Sequence, residues 1–171
     1  MKRFVEFSRL DESFDSPYAI SSREVAMAFT KLTRNVVYTA MTPDGRLDID
    51  IDKTYEDKNQ WAVDFSVRGN FSLLLNTPNV FRILSSVLLA IREFIKVHES
   101  VHDEKPEVFT LMSMKSINND PRNKKDDDRR FKVYHRMVDR FAATEGYTFK
   151  VSQRKYGPDL LESTIELRRK G

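Results

Sequence analysis

The sequence predicts an α/β domain of the α+β kind: a twisted, mixed, mostly antiparallel sheet with a buried central helix and a second C-terminal helix. Three observations carry this. The longest apolar run, Val80–Val97, has helical spacing. The segments before it alternate between apolar and polar residues with the period of strands. After it come a strand, an amphipathic helix and two final strands. At 171 residues, one domain is the default, and 40% hydrophobic residues with 12 Phe supply a core.

Residues 1–34 form the expected N-terminal helical arm, packed on a domain spanning 35–171. In the arm, Phe4, Phe7, Leu10 and Phe14 suit a short amphipathic helix ending near Pro17. An arm packed on the domain is preferred over an oligomerisation or partner-binding arm. SREVAMAFTKL, residues 22–32, mixes helical and strand signals and is assigned to helix.

From Asn35 the period shortens. VVYTAMT is a strand, Pro43-Asp44-Gly45 is turn chemistry, and LDIDID alternates without a break. Leu47, Ile49 and Ile51 face the core, and Asp48, Asp50 and Asp52 line the other face. Three carboxylates spread along an extended strand do not offer the compact oxygen cage calcium needs, so a solvated face is expected. Trp61–Val67 is the next strand, and Phe71–Leu75 is a short strand leading into the central helix.

In the central helix, Phe81, Leu84, Leu88, Ile91 and Ile95 follow one stripe, and Ile83, Val87, Leu89 and Phe94 fill its flanks. Such a helix is apolar over most of its circumference and must be buried. Thr77 is placed to cap it and Pro78 to occupy its first position. Arg82, Arg92 and Glu93 make it unfit to span a membrane. His98–Lys105 reads as a polar connection, with His98 and His102 on a frayed, solvent-facing helix end rather than at a metal. Val108–Met114 is a strand expected to run parallel to Phe71–Leu75 after a right-handed crossover.

Lys115–Arg130 is a loop dense in charge. Its Lys115, Arg122, Lys124, Lys125, Arg129 and Arg130 are the candidate partner-binding residues. Asp126, Asp127 and Asp128 precede a helix, where acids favour the dipole, and capping is preferred over metal ligation. In the helix Arg130–Thr144, Phe131, Tyr134, Met137, Val138, Phe141 and Ala142 form the buried stripe, and Gly146 ends it. Tyr147–Arg154 and Ser163–Arg169 are the last strands.

Composition excludes some chemistry. Without cysteine there is no disulfide, thiolate metal site or cysteine nucleophile, which fits a reducing compartment. No Walker loop, GxGxxG, HExxH or GxSxG is present, and no metal site is predicted. The N-terminus is too polar for a signal peptide. A net charge of +3 does not by itself point to nucleic acid.

The order of antiparallel strands, helix, strand, helix and two strands resembles the GNAT superfamily of acyl-CoA-dependent N-acyltransferases over roughly Val36–Arg169. The segment RFKVYHRMVDRFAATEGYTF carries most of it, with Val133-Tyr134, Met137 and Gly146-Tyr147 at the places of "(L/F)Y…(L/M)…GF". The resemblance implies that Tyr134 protonates a leaving thiolate. Read from the residues alone, Tyr134 serves equally as a core aromatic. VFRILSSVLLAIREFI and KVYHRMVDRFAATEGY also resemble a group of small bacteriophage proteins of poorly defined function.

One departure bears on activity. The superfamily's "(Q/R)xxGx(G/A)" loop presents backbone amides to the pyrophosphate of CoA. Here the loop is LLNTPNVFRI, without glycine, leaving Asn76, Thr77 and Asn79 as the candidate cofactor contacts. The expectation is therefore a phage-type GNAT-fold protein that acts by binding a host or virion protein, in the host cytoplasm or the virion. It needs no cofactor and contacts no membrane. The alternatives are an acyltransferase using acetyl-CoA and a nucleic-acid-binding module.

Overall fold

The computed structural model describes residues 16–22, 29–69, 79–116, 135–156 and 160–171. These form an α+β fold with a mixed sheet of six strands, in the order β1-β2-β3-β4-β6-β5. The elements are β1 (Asn35–Thr42), β2 (Gly45–Lys53), β3 (Gln60–Val67), α1 (Val80–His102), β4 (Val108–Ser116), α2 (residues 135–145), β5 (Tyr147–Tyr156) and β6 (Leu160–Arg169). They divide into two compact units: Met1–Ile51 with Phe65–Glu104, and Asp52–Asp64 with Lys105–Gly171.

In the first unit the alternation of the sequence becomes burial. Val36, Tyr38 and Ala40 of β1 and Leu47, Ile49 and Ile51 of β2 are buried, and the three β2 residues have no exposed surface. The β1–β2 turn is tied by Thr42, whose hydroxyl donates to Gly45 O at 2.8 Å and accepts from Asp44 N at 3.1 Å. Gly45 has φ +123°, a backbone conformation that favours glycine. Ser21 bridges Thr39 antiparallel, extending cover along β1.

Helix α1 lies against β1. Twelve of its residues, from Val80 to His98, are buried, which is the broad apolar surface the sequence predicted. Its limits differ from expectation. The N-cap is Asn79 and the first helical residue Val80, where Thr77 and Pro78 were expected; Thr77 and Pro78 themselves lie outside the described residues. At the other end the helix continues through His102 to Asp103, which closes it in a left-handed conformation at φ +60°.

The histidines are therefore not on a frayed, solvent-facing end. His98 is 2% exposed and its Nδ1–H donates to Glu104 O at 2.8 Å. Its ring stacks on His102 at 4.2 Å, and the Phe29 ring meets both edge-on at 6.1 Å. Phe94, His98 and His102 continue one i,i+4 row, so imidazoles extend the apolar stripe as flat rings rather than ending it as polar groups.

In the second unit, β4 runs parallel to β3, Gln60 opposite Val108 through Val63 opposite Leu111, and antiparallel to β6 on its other side. The described parallel neighbour of β4 is thus β3; Phe71–Leu75, expected in that place, lies outside the described residues. A strand before α1 and the strand after it are parallel, and the described member before α1 is the Trp61-bearing β3. Strand β4 also outlasts its predicted end at Met114 and runs to Ser116, because β6 pairs with it as far as Ser116–Leu160.

Polar groups gather where β4 begins. Asn59 accepts from Trp61 Nε1 at 3.0 Å and donates to Lys105 O at 3.2 Å. Arg169 also donates to Lys105 O, at 2.7 Å, and Tyr147 OH donates to Pro106 O at 2.7 Å. Met137, Val138, Phe141 and Ala142 of α2 are buried, while Arg136, Asp139 and Arg140 are exposed, as its stripe predicted. Gly146, at φ +83°, ends the helix and opens β5.

Candidate functional site at the start of the central helix

The entrance of α1 carries the described part of the predicted cofactor site. Ile83 N donates to Asn79 O at 2.9 Å, which closes the first helical turn. The Asn79 side chain makes no cap to the helix amides, and the first turn holds no acidic residue. Instead its amide donates to Asp44 Oδ2 at 3.1 Å. A carboxylate from the β1–β2 turn therefore stands at the positive end of the helix dipole.

One turn on, Arg82 is committed elsewhere. Its Nε donates to Ser16 O at 2.8 Å, and its guanidinium lies 4.1 Å from the centre of the Tyr18 ring. The Ser86 hydroxyl accepts from Tyr18 N at 2.8 Å and donates to Arg82 O at 2.8 Å. Burial raises the Tyr18 hydroxyl above its ordinary pKa; Arg82 opposes this and Asp44 adds to it. Arg82 thus clamps residues 16–18 to α1.

A second polar group is buried on β1. Tyr38 is 3% exposed, and among the described residues its hydroxyl finds no hydrogen-bond partner. Burial, with the Glu93 carboxylate adding to it, pushes that hydroxyl far above its ordinary value.

The predicted site residues are only partly brought into view. Asn79 is at the helix entrance. Lys115 lies within β4, opposite Leu161, rather than in a loop. Tyr134, Asn76, Thr77, Arg122, Lys124, Lys125, Arg129 and Arg130 lie outside the described residues, as do the arm Phe4–Phe14 and Asp126–Asp128. On β2, Asp48 accepts from Arg46 Nε at 2.7 Å. Among the described residues no group of three His, Cys, Asp or Glu is placed to hold a metal, and no helix is long and apolar enough to cross a membrane.

Sequence reasoning missed Asp44. The Pro-Asp-Gly run announced a turn, but nothing in it tells that its carboxylate reaches a residue 35 positions later. No protein-family model, curated protein or solved structure matches the chain.

Proposed function

We propose that this chain is a GNAT-type domain that works by binding a protein rather than by transferring an acyl group. The element order β1-β2-β3-α1-β4-α2-β5-β6 is compatible with that resemblance. The observation that carries the non-catalytic reading is the Asn79–Asp44 contact. A pyrophosphate held at a helix N-terminus needs bare amides and a positive field. Here the one described cofactor candidate spends an amide proton on a carboxylate, and that carboxylate repels phosphate. Arg82, one turn along the helix, is held by Ser16 and Tyr18.

The partner is a protein of the host or of a virion, as the resemblance to small phage proteins implies. The test is release of free thiol from acetyl-CoA in the presence of a panel of amines. The reading predicts none above the protein-free rate. Thiol release that Tyr134→Phe lowers by about 10²-fold or more would instead make the protein an acyltransferase with Tyr134 as its acid.

A further inference from the structure

We propose that the outer edge of β5 docks an extended, acidic segment of the partner protein, which joins the sheet as a further strand. This rests on the protein-binding reading above and names the surface and its ligand. Strand β5 is last in the sheet order, ten residues long, and pairs with β6 alone among the described strands.

The hydrogen-bond register says which backbone groups face outward. Lys170 N donates to Gly146 O at 3.0 Å, and the same antiparallel register continues as Tyr147 opposite Arg169. In such a ladder alternate residues exchange both bonds with the partner strand, and those between turn theirs away. Thr148, Lys150, Ser152 and Arg154 therefore spend their amides and carbonyls on β6. Phe149, Val151, Gln153 and Lys155 present theirs to the open edge. Four outward residues in regular alternation are what a docking strand needs.

Charge selects the occupant. Strand β5 carries Lys150, Arg154 and Lys155 and no acid. Thr148, Lys150, Ser152 and Arg154 share one face, and all four are exposed. Across β6, Lys150 sits opposite Glu166, which already accepts from Arg168 at 3.1 and 3.2 Å. Among the described strands none lies on the other side of β5, and for a strand added there a carboxylate is the favourable neighbour of Lys150. The same charges disfavour one register of pairing with a second copy. Antiparallel self-pairing centred on Ser152 sets Lys150 directly against Arg154 at both ends, and like charges so placed are repelled.

The probe is a fluorescein-labelled ten-residue peptide alternating Glu with Val, followed by anisotropy, with a Lys-for-Glu peptide beside it. The acidic peptide is expected to bind and the basic one not. Gln153→Pro deletes one outward amide and spares the ladder to β6, since an edge strand tolerates proline there. It should weaken binding about tenfold or more, while Gln153→Ala, which keeps the amide, leaves it unchanged. Circular dichroism checks that Gln153→Pro is folded. If it is not, the double variant Lys150→Glu/Lys155→Glu carries the test and must abolish binding. Absence of acidic-peptide binding, equal affinity in the proline and alanine variants, or wild-type dimerisation that Gln153→Pro abolishes would each overturn the proposal. The acyl-transfer assay scores the underlying reading separately: thiol release with peptide binding intact overturns that reading alone.

Discussion

The side-chain amide of Asn79 donates to the Asp44 carboxylate at 3.1 Å, joining the entrance of α1 to the β1–β2 turn. The contact has two consequences, one for stability and one for ligand choice. Asp44→Ala removes a part-buried hydrogen bond and should lower unfolding free energy by about 1 kcal/mol in urea titrations. Asp44→Asn removes the charge and keeps a polar side chain. Titration with inorganic pyrophosphate should then show tighter binding than in the wild-type protein. Equal affinity in both would mean that the carboxylate does not govern anions at this end of the helix.

The aromatic row of α1 is expected to matter to the fold as much as its aliphatic stripe. Phe94 has no exposed surface and meets Phe29 edge-on at 5.5 Å. Phe94→Ala should cost about 3–5 kcal/mol, the usual range for emptying a buried phenyl site. Chemical denaturation measures it. A loss below about 1 kcal/mol would place this end of the helix at the periphery.

Tyr38 gives the molecule an alkaline limit. Its hydroxyl is raised above its ordinary value by burial first and by Glu93 second. The unfolded chain therefore releases this proton at about pH 10, while the folded chain keeps it. The unfolded state then binds fewer protons, and stability falls as pH rises above about 10, having been fully present below it. Tyr38→Phe removes the titration and also a buried hydroxyl with no partner among the described residues. At neutral pH it should be neutral or stabilising, by up to about 1–3 kcal/mol. Unfolding measured at pH 8 and pH 11 should show the gap between variant and wild type widening at the higher pH. A constant gap would refute the assignment.

Much of the fold was legible because burial follows period. Leu47, Ile49 and Ile51 alternate with aspartates and are fully buried. The stripe of α2 through Met137, Val138, Phe141 and Ala142 is buried as its spacing required. What period cannot reveal is pairing. Trp61–Val67 and Phe71–Leu75 both read as strands before α1, and the parallel pairing of β3 with β4 is a long-range contact that period does not encode. The end of α1 was misread because histidine was counted as polar, whereas His98 and His102 pack as rings. At the helix entrance, Asn79 was named from its position in the loop, but its partner comes from a turn far earlier in the sequence.

The proposal that this is a GNAT-type domain that binds protein instead of transferring acyl groups is tested most directly by calorimetric titration of acetyl-CoA into the protein. The loop LLNTPNV lacks glycine, and Asp44 holds Asn79, so no saturable heat is expected up to millimolar ligand. A one-to-one isotherm with a dissociation constant in the low micromolar range would contradict it.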